Sequence, residues 1–348
     1  MKHCSSFFRT LFIYYTVLCV SFGSLPFEWF LVHLQEGNIV DVLYRAQKNN
    51  NVIDVAREFI EPNIPAAYAN GATDAMMAYD TVNNSTSTPK FRLWDGSAWG
   101  SEQSTSTFIG SELYNMQVRY APTRDEAILV AMTNTGQIQA QVWNGTSWGS
   151  ATTLSTVGDT VNNPNAASLY RWFDIEYEQT SGDAIVVVAD NSADPDYYVW
   201  NGTSWTGPTN IDIPTTGRPL QIEIASRPWS DELAFITLDT NADVYAMRWT
   251  WSAWNNMGVA TAWETTSLVN GNKKAIDVAF ETTSGDIMFA WWFATVATAH
   301  FRYRAYAASV LGAVTNITNA NQGWVANWLK LAPNPTAGSD QIMIGIQD

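Results

Sequence analysis

Apolar positions in this chain recur with a period of two, in short runs broken by Gly, Asn, Asp and Pro. The stretch from Leu113 to Leu154 shows the pattern best. Met116-Gln117-Val118-Arg119-Tyr120 alternates, and Pro122 to Asp125 turns the chain. Ala127 to Met132 is apolar throughout, Asn134-Thr135-Gly136 turns again, and Gln137 to Trp143 alternates once more. Asn144-Gly145 is a strong hairpin signal, because both residues tolerate φ > 0, and a fourth strand leaves through Ser147-Trp148. Four short antiparallel strands in about 50 residues, with no helical period between them, predict a propeller blade. Phe173 to Tyr177 and Ile276 to Phe280 alternate in the same way, with Asp174, Glu176 and Asp277 at the polar places. Alternation marks strands with two unlike faces; the second strand of each unit is apolar throughout and is expected to be buried on both.

The unit recurs six times. Its turn acid stands at Asp74, Glu126, Asp183, Glu232, Asp286 and Asp340, about 50 residues apart, and an apolar run follows each. A second marker follows in four units: Trp94 to Trp99, Trp143 to Trp148, Trp200 to Trp205 and, more loosely, Trp249 to Trp254. The chain is therefore expected to be all-β, a six-bladed β-propeller of four-stranded antiparallel blades. The sixth unit supplies only two strands before the sequence stops. Gly37 to Tyr44 resembles Gly136 to Trp143, and Val52 to Val55 would follow as a fourth strand. Residues 38–60 are thus expected to complete the last blade and close the ring. The alternative is a short helix over Val52 to Ile60, with the ring closed otherwise.

The repeated acids follow sequences such as Thr180-Ser181-Gly182, and tight-turn chemistry explains them: the side chain would bond its own backbone. Residues 1–36 read as a signal peptide or membrane anchor, with Lys2 and Arg9 before an uncharged stretch, and residues 37–348 as one domain. The expected location is secreted or cell-surface, with membrane contact only through the N-terminal segment. Thirty-three acidic against 18 basic residues give a net charge of −15, which argues against nucleic acid as a partner. Cys4 and Cys19 both lie in the leader, and of three histidines only His300 stands beyond it. No cofactor or metal site is expected, and no catalytic residues are assigned. An enzyme would have to work through carboxylates, as glycoside hydrolases do.

The tryptophans carry the remaining choice. The first of each pair ends the third strand, where a large ring would fill the wedge between blades. The second, at Trp99, Trp148, Trp205 and Trp254, opens the fourth strand and is the candidate ligand-binding set, since indoles stack on the apolar faces of sugars and equivalent sites suit multivalent binding. This Trp-Asp/Asn-Gly-x-x-Trp hairpin resembles the repeats of lectin-type β-propellers, the fucose-binding and tachylectin-like groups, and distantly the Asp-box turn of sialidases. The lectin resemblance implies glycan partners. Sialidases would imply an arginine triad; Arg92, Arg248 and Arg302 are read as sharing one repeat position, just before or near the Trp, which places them in equivalent spots on different blades. The leading expectation is a non-catalytic carbohydrate-recognition module. A protein-binding or adhesion propeller with cell-surface protein partners is the alternative, and a sialidase-like glycoside hydrolase the third.

Overall fold

The computed structural model describes the strand backbones at 16–18, 32–35, 38–42, 47–48 and 51–57, and residues 74–80, 87–95, 98–156, 171–267, 274–293, 301–317, 328–334 and 339–347. Every regular element among them is a strand. His300 lies outside the described residues.

Six antiparallel sheets follow one another from residue 47 to residue 347. The second sheet orders Leu113–Tyr120, Ala127–Thr133, Gln137–Trp143 and Thr152–Thr156 from one edge to the other. The third (Phe173–Tyr177 to Trp205–Asn210) and fourth (Pro219–Ser226 to Trp254–Asn255) repeat the same up-and-down order. The fifth runs Ile276–Phe280, Ile287–Trp292, Phe301–Ala307 and Val310–Leu311, with Thr315–Ile317 also on the third strand. The sixth pairs Trp328–Pro333 with Ile342–Gln347. The first strands of successive sheets lie side by side, and the chain joins them by parallel bridges at Arg171–Gln221 and Lys274–Trp328.

The N-terminal strands pair differently from expectation. Asn51–Arg57 lies against Asp74–Tyr79, with Ile53 opposite Tyr79 and Val55 opposite Met77, and on its other side against Gln47–Lys48, so it belongs to the first sheet. Asp74–Tyr79 takes partners on both sides, Asn51–Arg57 and Lys90–Asp95. Asn38–Val42 pairs with Val32–Gln35, in a three-stranded sheet with Thr16–Leu18. Among the described residues, Ile342–Gln347 pairs only with Trp328–Pro333, and no ladder closes a ring.

The expectation for the second strands holds: Ala127–Thr133, Ala184–Val188 and Glu232–Asp239 are buried along their whole length. In the second sheet the alternate residues divide between two cores. Ala127, Leu129 and Ala131 face Met76, Phe91 and Met116, while Ile128, Val130 and Met132 belong to the core shared with the later sheets. A strand with a core on each face is what a sheet stacked between two others requires.

Candidate functional site

The two-tryptophan hairpins form as the sequence suggests. Each pair sits directly opposite across the last rung of the third and fourth strands, at Trp94–Trp99, Trp143–Trp148, Trp200–Trp205 and Trp249–Trp254. Ring centroids lie 5.5, 5.6, 5.3 and 5.3 Å apart in that order. The turn between them is held by the residue after the first Trp. Asn144 Oδ1 accepts from Thr146 N at 3.1 Å and Ser147 N at 2.9 Å, and Asn201 Oδ1 accepts from Thr203 N and Ser204 N at 3.0 and 2.9 Å. Gly145 and Gly202 follow at φ 88° and 87°, a left-handed backbone in which glycine meets no steric penalty.

The pairs also pack against the sheet before them. Phe91 of the first sheet meets Trp143 and Trp148 edge-on at 5.3 and 5.8 Å. Tyr197 of the third sheet meets Trp249 and Trp254 at 5.4 and 6.2 Å. Phe91 and Tyr197 occupy one repeat position, three residues before the first Trp of their own sheets. Trp143 and Trp249 are 5% exposed, as wedge residues would be, whereas Trp94 and Trp200 are only half-buried. The candidate set Trp99, Trp148, Trp205 and Trp254 is half-buried, one to a sheet, at equivalent places along one rim. The Nε1 atoms of Trp148 and Trp254 are buried and unpartnered. In the fifth sheet, Tyr306 and Leu311 stand opposite each other where the other sheets have their Trp pair.

The repeated acids do more than turn the chain. Glu126 accepts from Arg124 Nη2 at 2.8 Å and from Tyr177 OH of the next sheet at 3.1 Å. Burial, and then the Glu126 carboxylate, push the Tyr177 phenol well above its ordinary value. Glu232 pairs with Arg227 and Arg248, and Arg248 Nη1 donates to Tyr306 OH of the next sheet at 2.9 Å. Glu178 accepts from Trp249 Nε1 at 2.6 Å, and burial raises its carboxyl above the usual range. Glu126, and Glu178 in the turn before the repeated Asp183, thus bond the next sheet directly, and Glu232 reaches it through Arg248.

The arginines do not share one place. Register aligns Arg92 with Arg304, and each donates at 2.9 Å to the carbonyl of an equivalent glycine, Gly100 or Gly312. Arg248 holds Glu232, and Arg302 holds Glu264. Arg92, Arg248, Arg302 and Arg304 are thus each engaged by a partner of their own and do not converge on one pocket. On the loop after the third sheet's second strand, Asp190 accepts from Ser192 N at 2.6 Å and Asp194 from Ile213 N at 3.1 Å. Among the described residues, no group of three or more His, Cys, Asp or Glu is placed to hold a metal ion. No helix of the described residues is long and apolar enough to cross a membrane.

No protein-family model and no curated protein sequence matches the chain. Among solved structures, a lectin from Burkholderia pseudomallei superposes with a TM-score of 0.54 at 10% identity, over 82% of this chain and 72% of its own. The two share a fold. A variant of the Aleuria aurantia lectin, solved with Fucα1-6GlcNAc, reaches a TM-score of 0.44 at 14% identity, over 85% and 87% of the two chains. A further Aleuria aurantia structure, described as a six-bladed β-propeller that recognises fucose, reaches 0.42 at 12% identity, over 78% and 80%.

Two features escaped the sequence reading. The polar places of the alternating first strands are buried: Asp174 and Asp277 are each 1% exposed. They share a register position with Gln117, Glu223 and Lys330, and Asp54 falls there in the first sheet. Asp174 Oδ2 accepts from Ile224 N at 2.8 Å, and Asp277 accepts from Leu331 N, so the same position clasps two different sheet junctions. Arg171 and Lys274 add a buried cluster, with Arg171–Glu223 at 2.6 Å, Lys274–Asp277 at 2.7 Å and Lys274–Glu223 at 3.2 Å. The second feature is Trp251, which takes the glycine's place in the fourth hairpin.

Proposed function

We propose that this chain is a non-catalytic carbohydrate-recognition module, built as a closed six-bladed β-propeller and exported to act outside the cell or on its surface. The observation that carries the reading is the recurrence of one two-tryptophan hairpin at an equivalent rim position on four successive sheets, with the second indole of each partly exposed. A half-exposed indole offers a flat apolar surface to the C–H face of a sugar, and four of them on one rim suit a multivalent glycan. The name of the lectin whose fold the chain shares supports the same reading. The leader-like segment before residue 37 supports export.

A glycan array probed with the full chain and with its Trp148→Ala/Trp205→Ala variant tests this. Binding by the native chain that weakens at least ten-fold in a variant with an unchanged far-ultraviolet spectrum and melting temperature bears it out. A blank array from the folded native chain overturns it and redirects the search to protein partners.

A further inference from the structure

The fourth sheet differs from its neighbours at both turns of the same rim. Its hairpin reads Trp249-Thr250-Trp251-Ser252-Ala253-Trp254, and Thr250 N donates to Ala253 O at 3.0 Å, as Asn144 N does to Ser147 O at 3.1 Å. Trp251 therefore occupies the place in the sequence of Gly96, Gly145 and Gly202, and it keeps the left-handed backbone of Gly145 and Gly202, at φ 50°. The turn between the first two strands of this sheet is Arg227-Pro228-Trp229-Ser230, closed by Ser230 N donating to Arg227 O at 3.3 Å. Proline at its second place and φ 63° at its third give a type II turn, whose third place favours glycine. Trp229 fills it. Counted back from the repeated acid, the second, third and fifth sheets have Thr123, Thr180 and Thr283 there.

Both indoles are mostly exposed, Trp229 at 51% and Trp251 at 65%. A bulky residue in the left-handed region strains the backbone, and such strain persists where function requires it. Here the strain earns no burial in return, since both side chains stand out from the core. The two turns join strands one to two and three to four, at the end where Glu232 faces Thr250 and Leu233 faces Ser226. Their tips are two strand spacings apart, about 10 Å. Ser230, Asp231 and Ser252 share those tips.

We infer that Trp229 and Trp251 form a binding platform for an oligosaccharide of at least two sugar units, at the turn tips beside the Trp249–Trp254 pair. The inference rests on the carbohydrate reading above. Each indole takes the C–H face of one ring, while the Asp231 carboxylate beside them is held by Thr180 N and Ser181 N of the third sheet at 2.8 and 2.9 Å. The span exceeds one strand spacing, which selects an oligosaccharide over a free monosaccharide. The net charge of −15 sets the surface against anionic lipid as the occupant.

The test uses Trp229→Gly and Trp251→Gly in the full chain, because glycine is the residue each backbone conformation favours. Each variant is expected to melt at the native temperature or above it, and to bind array-identified di- to tetrasaccharides at least ten-fold more weakly by calorimetry. Gly variants that bind as tightly as the native chain overturn the inference, and if the Trp148→Ala/Trp205→Ala variant has lost binding, they overturn it alone. A native chain that binds no glycan overturns it together with the carbohydrate reading.

Discussion

One backbone angle gives glycine and tryptophan opposite roles at the same place in the repeat. At Gly145, φ is 88°, and a Cβ would lie 2.6 Å from the Asp125 carboxylate. Gly145→Ala is expected to destabilise the chain by about 1–3 kcal/mol, from the left-handed strain and the displaced carboxylate together. Urea unfolding at neutral pH measures it; an unchanged midpoint would show that the turn relaxes freely. The Asn-Gly hairpins were legible in the sequence because turn chemistry is local. Trp251 was not, since nothing in a residue's identity announces that its backbone is left-handed. The fourth hairpin read only as a looser copy of the marker, where the structure has an intact turn with its glycine replaced.

At the scale of strands and sheets, the continuous apolar runs announced the middle strands correctly, because burial on both faces leaves no polar place to confuse the pattern. The first strands misled in a specific way. Their alternating polar residues suggest a solvated face, yet Asp174, Glu223 and Asp277 are buried and hydrogen-bonded or ion-paired across sheet junctions. Charge alone does not distinguish a solvated carboxylate from one that accepts a neighbour's amide. The closing strand was misplaced for a related reason: Val52 to Val55 fits any sheet edge with the right alternation, and pairing with Asp74–Tyr79 satisfies an apolar strand that needs two partners. Glu223→Gln would leave the buried Arg171 and Lys274 without their shared carboxylate. It is expected to destabilise by about 3–5 kcal/mol, read from chemical denaturation. A loss below about 1 kcal/mol would mean that the cluster is solvated.

For the molecule as a whole, the buried carboxyls set opposing responses to pH. Burial, with Glu223 next in importance, raises Asp174 from 3.8 to about 7, against the opposing pull of Arg119. The folded chain therefore holds a proton that the unfolded chain has lost between about pH 4 and 7, so this contribution to stability falls as pH rises through that window. For Glu223 burial works upwards, but Arg171, Lys274 and Lys330 outweigh it and bring the carboxyl down to about 2. Its contribution is present above the ordinary 4.5 and lost as pH falls towards 2. Thermal melts from pH 4.5 to 8 are expected to fall for the native chain and to flatten for Asp174→Asn. Parallel curves would remove Asp174 as the cause.

The inner clasps also share a direction. Gln117 Nε2 donates to Phe173 O, Asp174 accepts from Ile224 N, Gln221 accepts from Ala275 N and Asp277 accepts from Leu331 N. In each case the side chain belongs to the earlier sheet and the backbone to the later one. A ribosome releases the sheets in that same order. From the second sheet to the fifth, each sheet presents the side chain that binds its successor's backbone, so the stack has a polarity, like a filament with two unlike ends.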